Sequence, residues 1–244
     1  MNMAHCVDHV QCPVCAKNGR DRGSNNLAVY SDGSMYCFSC HYWKAGNGLS
    51  RIKDTVNVDD TAIVLPSDAD TVLPRVARDY LGRYGITRAD LTLNTVMWSD
   101  YWQRLIFPYF NDKGIVAWQG RYLGTEKGKA KWYSKGNLKE FQHFVGNKHS
   151  QIFVLTEDII SAIKVSHNTK VCAVPLFGSH VSTKRLLQLK RKDATILVWL
   201  DKDKQKESMQ YAKIARDFGI NCRSIITDLD PKEYSDPEIM ELIQ

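Results

Sequence analysis

Apolar positions in the last hundred residues fall in short unbroken runs at 152–155, 171–174, 196–200 and 222–227. Between them, 158–167, 181–191 and 205–218 repeat apolar residues at helical spacing; in the third stretch Tyr211, Ala212, Ala215 and Phe218 share one stripe. Strands that are apolar throughout and alternate with helices predict a parallel sheet covered on both faces. Upstream the pattern changes. Val76, Ala77, Tyr80, Leu81 and Tyr84 recur at three-to-four spacing and predict a helix closed by Gly85 as C-cap. Thr87 then caps a second short helix running to Leu91. Residues 96–133 are aromatic and β-branched in short runs at 105–107, 115–118 and 132–133, and Asn111-Asp-Lys-Gly114 predicts a hairpin turn. Residues 1–47 have few large aliphatics, and 48–72 carry five Asp with Thr, Ser and Pro66. The first segment cannot build an apolar core unaided, and the second reads as a tether.

Four parts follow: 1–47, a tether at 48–72, a subdomain at 73–148 and a parallel sheet at 149–244. The 244 residues contain no apolar run of about 18, so no membrane span is expected. The first nine residues lack a signal-peptide core, so a cytoplasmic, reducing setting is expected. Seven cysteines in that setting do not read as disulfides. Charge is uneven: 102–148 hold nine Lys/Arg against Asp112, Glu126 and Glu140. A basic block of this kind points to a polyanionic partner.

Cys12-Pro-Val-Cys15 and Cys37-Phe-Ser-Cys40 are two knuckles with 21 residues between them. A two-residue gap lets both thiolates of a knuckle reach one ion, and two knuckles complete a tetrahedral zinc site. Ser31-Asp-Gly-Ser34 predicts the hairpin turn that brings them together. Cys6, Cys172 and Cys222 are left as unpaired small residues, and His5, His9 and His41 as neighbours of the ion. The ribbon also presents Tyr36, Phe38, His41, Tyr42 and Trp43 beside Lys44. Such residues either stack on unpaired bases or cover the metal.

Glu157 directly follows the run at 152–155, and Asp201 and Asp203 follow that at 196–200. In a parallel sheet both fall at the carboxyl edge, where ligands bind. On an extended chain, residues two apart share a side. Converging carboxylates are the oxygen ligands of Mg²⁺ or Mn²⁺. Asp228, Asp230 and Glu233 follow the next run and extend the set. Lys202 and Lys204 alternate with the aspartates, so a solvated turn with local ion pairs is the other reading of 201–204.

The order of these pieces resembles the DNA primases, most nearly the primase half of the primase–helicases of short-tailed phages. The motifs are the two cysteine knuckles, Leu27-Ala-Val-Tyr-Ser-Asp-Gly33, Arg104-Leu-Ile-Phe-Pro108, Asp112-Lys-Gly114, Gln119-Gly-Arg121, Lys131-Trp-Tyr-Ser134, Leu155-Thr-Glu157, Asp201-Lys-Asp203 and Asp230-Pro-Lys-Glu233. The resemblance implies an α/β architecture: an N-terminal zinc ribbon, a tether, a small basic α+β subdomain and a C-terminal TOPRIM sheet. It implies synthesis of short RNA primers from NTPs on single-stranded DNA, with Zn²⁺ in the ribbon and two Mg²⁺ or Mn²⁺ ions in the acidic cluster. Glu157 is then a metal ligand or general base, and Asp201 and Asp203 bind metal, with Asp158 in the same shell. Arg104, Arg121, Lys129 and Lys131 face template or triphosphate, Lys131 next to the reaction, and His41 and Trp43 read the template. Cellular primases have Gly after the Glu and Asp four residues on; Asp158 and Ser161 stand here. The Gly-Arg that usually follows Asp-x-Asp is Lys206-Glu207. No phosphate-binding loop with a Gly-Lys-Ser/Thr ending is found, so a separate helicase and a DNA polymerase are the expected replisome partners. A non-catalytic zinc/TOPRIM recombination mediator and a TOPRIM nuclease share parts of the pattern.

Overall fold

The computed structural model describes residues 6–17, 26–40, 42–44, 63–138, 142–168, 170–181, 183–190 and 194–244. The chain forms two compact units, divided between Thr61 and Ala62.

In the first unit, β1 (Cys6–Val10), α1 (Pro13–Lys17), β2 (Leu27–Tyr30), β3 (Met35–Cys37) and β4 (Trp43–Lys44) build an antiparallel meander in chain order. The predicted turn joins β2 to β3. Gly33 takes φ 78°, and Asp32 accepts the Ser34 N–H at 2.9 Å, so each residue of the turn supplies what its backbone needs. Leu27 then pairs with Cys37, which sets the second knuckle over the first. The fully buried residues are Cys12, Cys15, Leu27, Ala28 and Cys37, with Val10, Met35, Cys40 and Tyr42 packed against the cluster. Thiols occupy the place that aliphatics hold in an ordinary core.

The second unit opens with α2 (Arg75–Gly82) and α3 (Arg88–Leu93), both as the periodicity predicts. Gly85 at φ 68° ends the first, and Thr87 and Asp90 form a reciprocal capping box on the second. The chain then lays down an antiparallel sheet of β5 (Met97–Ser99), β6 (Arg104–Asn111), β7 (Gly114–Tyr122) and β8 (Trp132–Gly136). The tail of the expected tether is ordered against this sheet. Asp68 accepts from Ser99 Oγ at 2.8 Å, Asp70 bridges Trp98, and Trp118 Nε1 donates to the Val64 carbonyl at 3.0 Å.

Next come β9 (Val145–Gly146), β10 (Ile152–Thr156), α4 (Ile159–Val165), β11 (Val171–Pro175), α5 (Thr183–Leu189), β12 (Thr195–Val198), α6 (Gln205–Asp217), β13 (Asn221–Ser224) and α7 (Asp236–Ile243), with 3₁₀ turns at Lys202–Lys204 and Pro231–Glu233. The sheet order is β13-β12-β10-β11-β9; the first four strands are parallel, and β9 lies antiparallel on the edge. The sequence pattern gave no sign of β9 or α7.

Strand alternation sorts the core. Phe153, Leu155, Cys172, Val174, Ile196 and Val198 point to one face with Leu186, Leu189, Ala212 and Ala215 of α5 and α6. Val154, Val171, Ala173, Leu197 and Trp199 point to the other, with Ile160 and Ile163 of α4 and Ile239 and Ile243 of α7. That second cluster continues without a break into Ala77, Leu81, Leu105, Phe107 and Tyr109. The helical–antiparallel part and the parallel sheet therefore share one interior.

Candidate active site

From β10 the chain crosses to β11 on one side, and it returns to β12 on the other. The carboxyl ends of β10 and β12 thus flank the point where strand order reverses, the crevice in which open parallel sheets bind ligands. Register puts Leu155 opposite Val198, and the Trp199 N–H donates to the Leu155 carbonyl at 2.9 Å. Glu157 and Asp201 are therefore delivered to the same edge. They line a pocket of about 220 Å³ with Asp158, Gln119, Lys131, Trp132, Phe177 and Gly178.

Within the pocket, Glu157 Oε2 and Asp201 Oδ1 are buried and accept no hydrogen bond. Burial, reinforced by Asp201, Asp203 and Asp158, pushes the Glu157 carboxyl up from 4.5 to about 7. Burial likewise raises Asp201 from 3.8 to about 6, against the pull of Lys232. Two buried carboxyl oxygens without partners, on residues that line the pocket, suit a hard divalent cation. A metal-free chain bears these groups at a cost that grows with pH. Between each group's ordinary value and its raised one, the folded state holds a proton that the unfolded state has released, so stability falls as pH rises. Denaturant unfolding of the metal-free second unit should show stability declining from about pH 4.5 through about 7, and Glu157→Gln should remove much of that slope. An unchanged slope would show that Glu157 ionises at its ordinary value.

The structure revises other expected site residues. Asp203 lies in the 3₁₀ turn Lys202–Lys204, is exposed, and pairs with Lys204 at 3.0 Å; it does not line the pocket. The chain stops being extended at Asp201, so residues two apart no longer share a side. Asp158 does reach the pocket, but as the N-cap of α4: it accepts the Ser161 N–H at 2.7 Å, and its second oxygen faces Lys232 at 3.3 Å. Asp228 and Glu233 are exposed, the latter capping its own turn at the Asp230 N–H.

Arg104, expected to face template or triphosphate, is buried over Gly120 of β7. Its guanidinium donates to the carbonyls of Gly120 at 2.9 Å and Ala130 at 2.8 Å and packs over Tyr122. Alternation puts it on the face opposite Leu105, Phe107 and Tyr109, where Tyr122 and the backbone of 130–131 cover it, and these carbonyls satisfy its charge. Arg121 sits between the rings of Tyr80 and Trp132, 5.3 Å from each. Lys129 is exposed and pairs with Glu126 at 3.5 Å. Of the four expected cations, Lys131 is the one that lines the pocket.

Two contributors had no signal in the pattern. Lys232 stands among Asp158, Asp201 and Asp230; burial opposes its charge, but the three carboxylates hold its pKa above the ordinary lysine value. Phe177 adopts φ 58°, a left-handed backbone that bulky residues rarely take. The adjoining Gly178 N–H holds this turn to the Glu157 carbonyl at 3.0 Å, and Phe177 packs edge-on against Tyr109.

In the first unit the four cysteine sulfurs all lie within 4.8 Å of one another, with Cys12–Cys40 at 3.5 Å and Cys15–Cys37 at 3.7 Å. A tetrahedral zinc with Zn–S bonds of about 2.3 Å needs S···S separations of about 3.8 Å, so the cage fits the ion. Burial raises the Cys15 and Cys40 thiols, whereas the N–H groups of Cys40 and Ser39 outweigh burial at Cys37 and lower its thiol. Among the described residues this is the one such set; Glu157, Asp201 and Asp203 do not form another. His41 lies outside the described residues. Trp43 and Phe38 are exposed, with Tyr36 and His9 against Phe38, whereas Tyr42 packs on the metal cluster.

No protein-family model and no curated protein sequence matches the chain. Solved structures do. The primase fragment of the bacteriophage T7 primase–helicase aligns over 98% of this chain and 100% of its own, at 18% identity and TM-score 0.50. The zinc-binding and RNA polymerase domains of the Aquifex aeolicus primase align over 99% of this chain and 80% of their own, at 12% identity and TM-score 0.57. A DnaG primase catalytic domain bound to ssDNA aligns over 68% and 70%, at 13% identity and TM-score 0.55. The chain has the fold of the zinc-binding and catalytic domains of DNA primases.

Proposed function

We propose that the chain is a DNA primase that makes short RNA primers from NTPs on a single-stranded DNA template. The observation that carries this reading is the pairing of Glu157 and Asp201, each with a partnerless buried oxygen, beside Lys131 at the switch point of a sheet with primase fold. The strand order β13-β12-β10-β11 supports identifying the sheet as TOPRIM. That a DnaG catalytic domain of similar fold was solved on ssDNA supports the choice of template.

In this reading Glu157 and Asp201 would hold Mg²⁺ or Mn²⁺, whose chemistry is to neutralise the triphosphate. Lys131 brings a cation to the same pocket and would offset charge that grows on the leaving pyrophosphate. Burial and the neighbouring acids push the Glu157 carboxyl up to about 7 in the metal-free chain, and a bound cation would hold it ionised as a ligand. Gln119, Trp132 and Phe177 narrow the pocket and limit water. The four-cysteine cage would hold Zn²⁺ as a structural ion, and the exposed Trp43 and Phe38 would stack on template bases. Arg104, buried on the carbonyls of Gly120 and Ala130, would act on the backbone next to Lys131.

Among the described residues no helix is long and apolar enough to cross a membrane. We place the protein in the cytoplasm of a phage-infected cell, working with a helicase and a DNA polymerase. The test is incorporation of labelled NTPs on single-stranded templates randomised at three positions, with Mg²⁺ or Mn²⁺. We expect short products that start at a preferred triplet. DNA binding without incorporation under either metal would remove the reading.

A further inference from the structure

Lys232 belongs to the 3₁₀ turn after β13, and its side chain is 8% exposed. Its ammonium stands 3.3 Å from Asp158 Oδ2, 3.4 Å from Asp201 Oδ2 and 3.3 Å from Asp230 Oδ2. An ammonium has three donors, and here three carboxylates meet it. They arrive from the ends of β10, β12 and β13. Two of them are also held by groups other than the lysine. Asp158 Oδ1 accepts the Ser161 N–H, and Asp230 Oδ1 accepts the Lys202 N–H at 3.2 Å. The cage is thus fixed largely by backbone donors, and the lysine fills it. Asp201 belongs to two environments: one oxygen meets Lys232, and the other is buried without a partner, as is Glu157 Oε2.

A set of carboxylates around one point is what an oxygen-coordinated divalent ion requires. A buried ammonium at that point neutralises the same charge without dissociating. Building on the reading of this pocket as a polymerase site, we propose that Lys232 is a tethered cation filling one of the two cation positions of the acidic cluster. The chain then takes a single exchangeable divalent ion, between Glu157 and Asp201. Lys232 is a positioning residue: it holds the Asp201 carboxylate through Oδ2, which leaves Oδ1 for the exchangeable ion, and it keeps the cluster closed when no ion is bound.

Mn²⁺ binding to the zinc-loaded full chain, followed by the electron paramagnetic resonance of free Mn²⁺, tests this. The expected results are one site in the native chain, none in Glu157→Gln, one in Lys232→Arg and two in Lys232→Ala. The melting midpoint of Lys232→Ala without divalent ion should fall below the native value and recover on adding Mn²⁺; Lys232→Arg should need no such rescue. Two sites or none in the native chain overturns the proposal, as does a single site in Lys232→Ala. If Lys232→Ala does not fold, the native and Lys232→Arg counts decide. Failure of the polymerase reading looks different: the native chain incorporates no nucleotide, whatever its Mn²⁺ count. A native chain that makes primers with two exchangeable ions sinks the tethered cation alone.

Discussion

Glu157→Gln is expected to lower primer synthesis by about three orders of magnitude while leaving the second unit folded. The magnitude is that of losing a positioned acid–base group or an electrostatic stabiliser at a reacting centre. The substitution keeps shape and removes charge. The Glu157 carbonyl, which accepts the Gly178 N–H, belongs to the backbone and is untouched. Its side-chain Oε2 has no hydrogen bond to lose. Removing a carboxylate from the neighbourhood of Asp158, Asp201 and Asp203 also relieves repulsion, so the metal-free variant should melt no lower than the native chain. Asp201→Asn is a less clean test because it also disturbs the contact with Lys232. Primer extension at saturating template, together with circular dichroism of each protein, gives the answer. Native-level synthesis by Glu157→Gln would place the chemistry elsewhere.

Removal of zinc is expected to unfold the first unit and spare the second. Leu27 is the one large aliphatic fully buried among its described residues, and burying a leucine contributes about 1.5–3 kcal/mol. Ordering costs about 1–2 kcal/mol for each residue's backbone, so apolar burial cannot hold this unit. Zinc in a four-thiolate cage contributes about 10–16 kcal/mol, which is enough. The second unit has two continuous apolar clusters of its own. A strong chelator, or Cys12→Ser, should therefore abolish the ordered amide signals of β1–β4 in a heteronuclear NMR spectrum and leave those of β10–β13 in place. Persistence of the β2–β3 hairpin signals without metal would show that the ribbon stands unaided.

The parallel sheet was legible because its strands are apolar on both faces and the helices between them are not. The capping signals at Gly85 and Thr87 and the paired cysteine spacing were legible for a related reason: each rests on chemistry confined to a few neighbouring residues. What depended on the path of the chain after an element was not legible. Asp201 and Asp203 share a side only on an extended strand, and the 3₁₀ turn that begins at Lys202 turns Asp203 to solvent. Arg104 reads as a surface cation, and alternation does put it on the face away from the core, yet the chain at 130–131 folds over that face and its carbonyls solvate the charge. Lys232 lies in the motif Asp230-Pro-Lys-Glu233, whose acids alone were given a role, and nothing in spacing shows a lysine turning inward to join carboxylates from two other strand ends. Two-residue β9 is too short to leave a pattern.

The interior that runs unbroken from Ala77 and Leu81 through Phe107 to Val154 and Ile163 has a practical meaning for anyone dissecting the molecule. Cutting the chain near residue 148 would not liberate a catalytic module. It would lay open the greasy back of the sheet that carries Glu157, and strip away the wall that carries Lys131. Acid and base are two halves of one folding unit, inherited together or not at all.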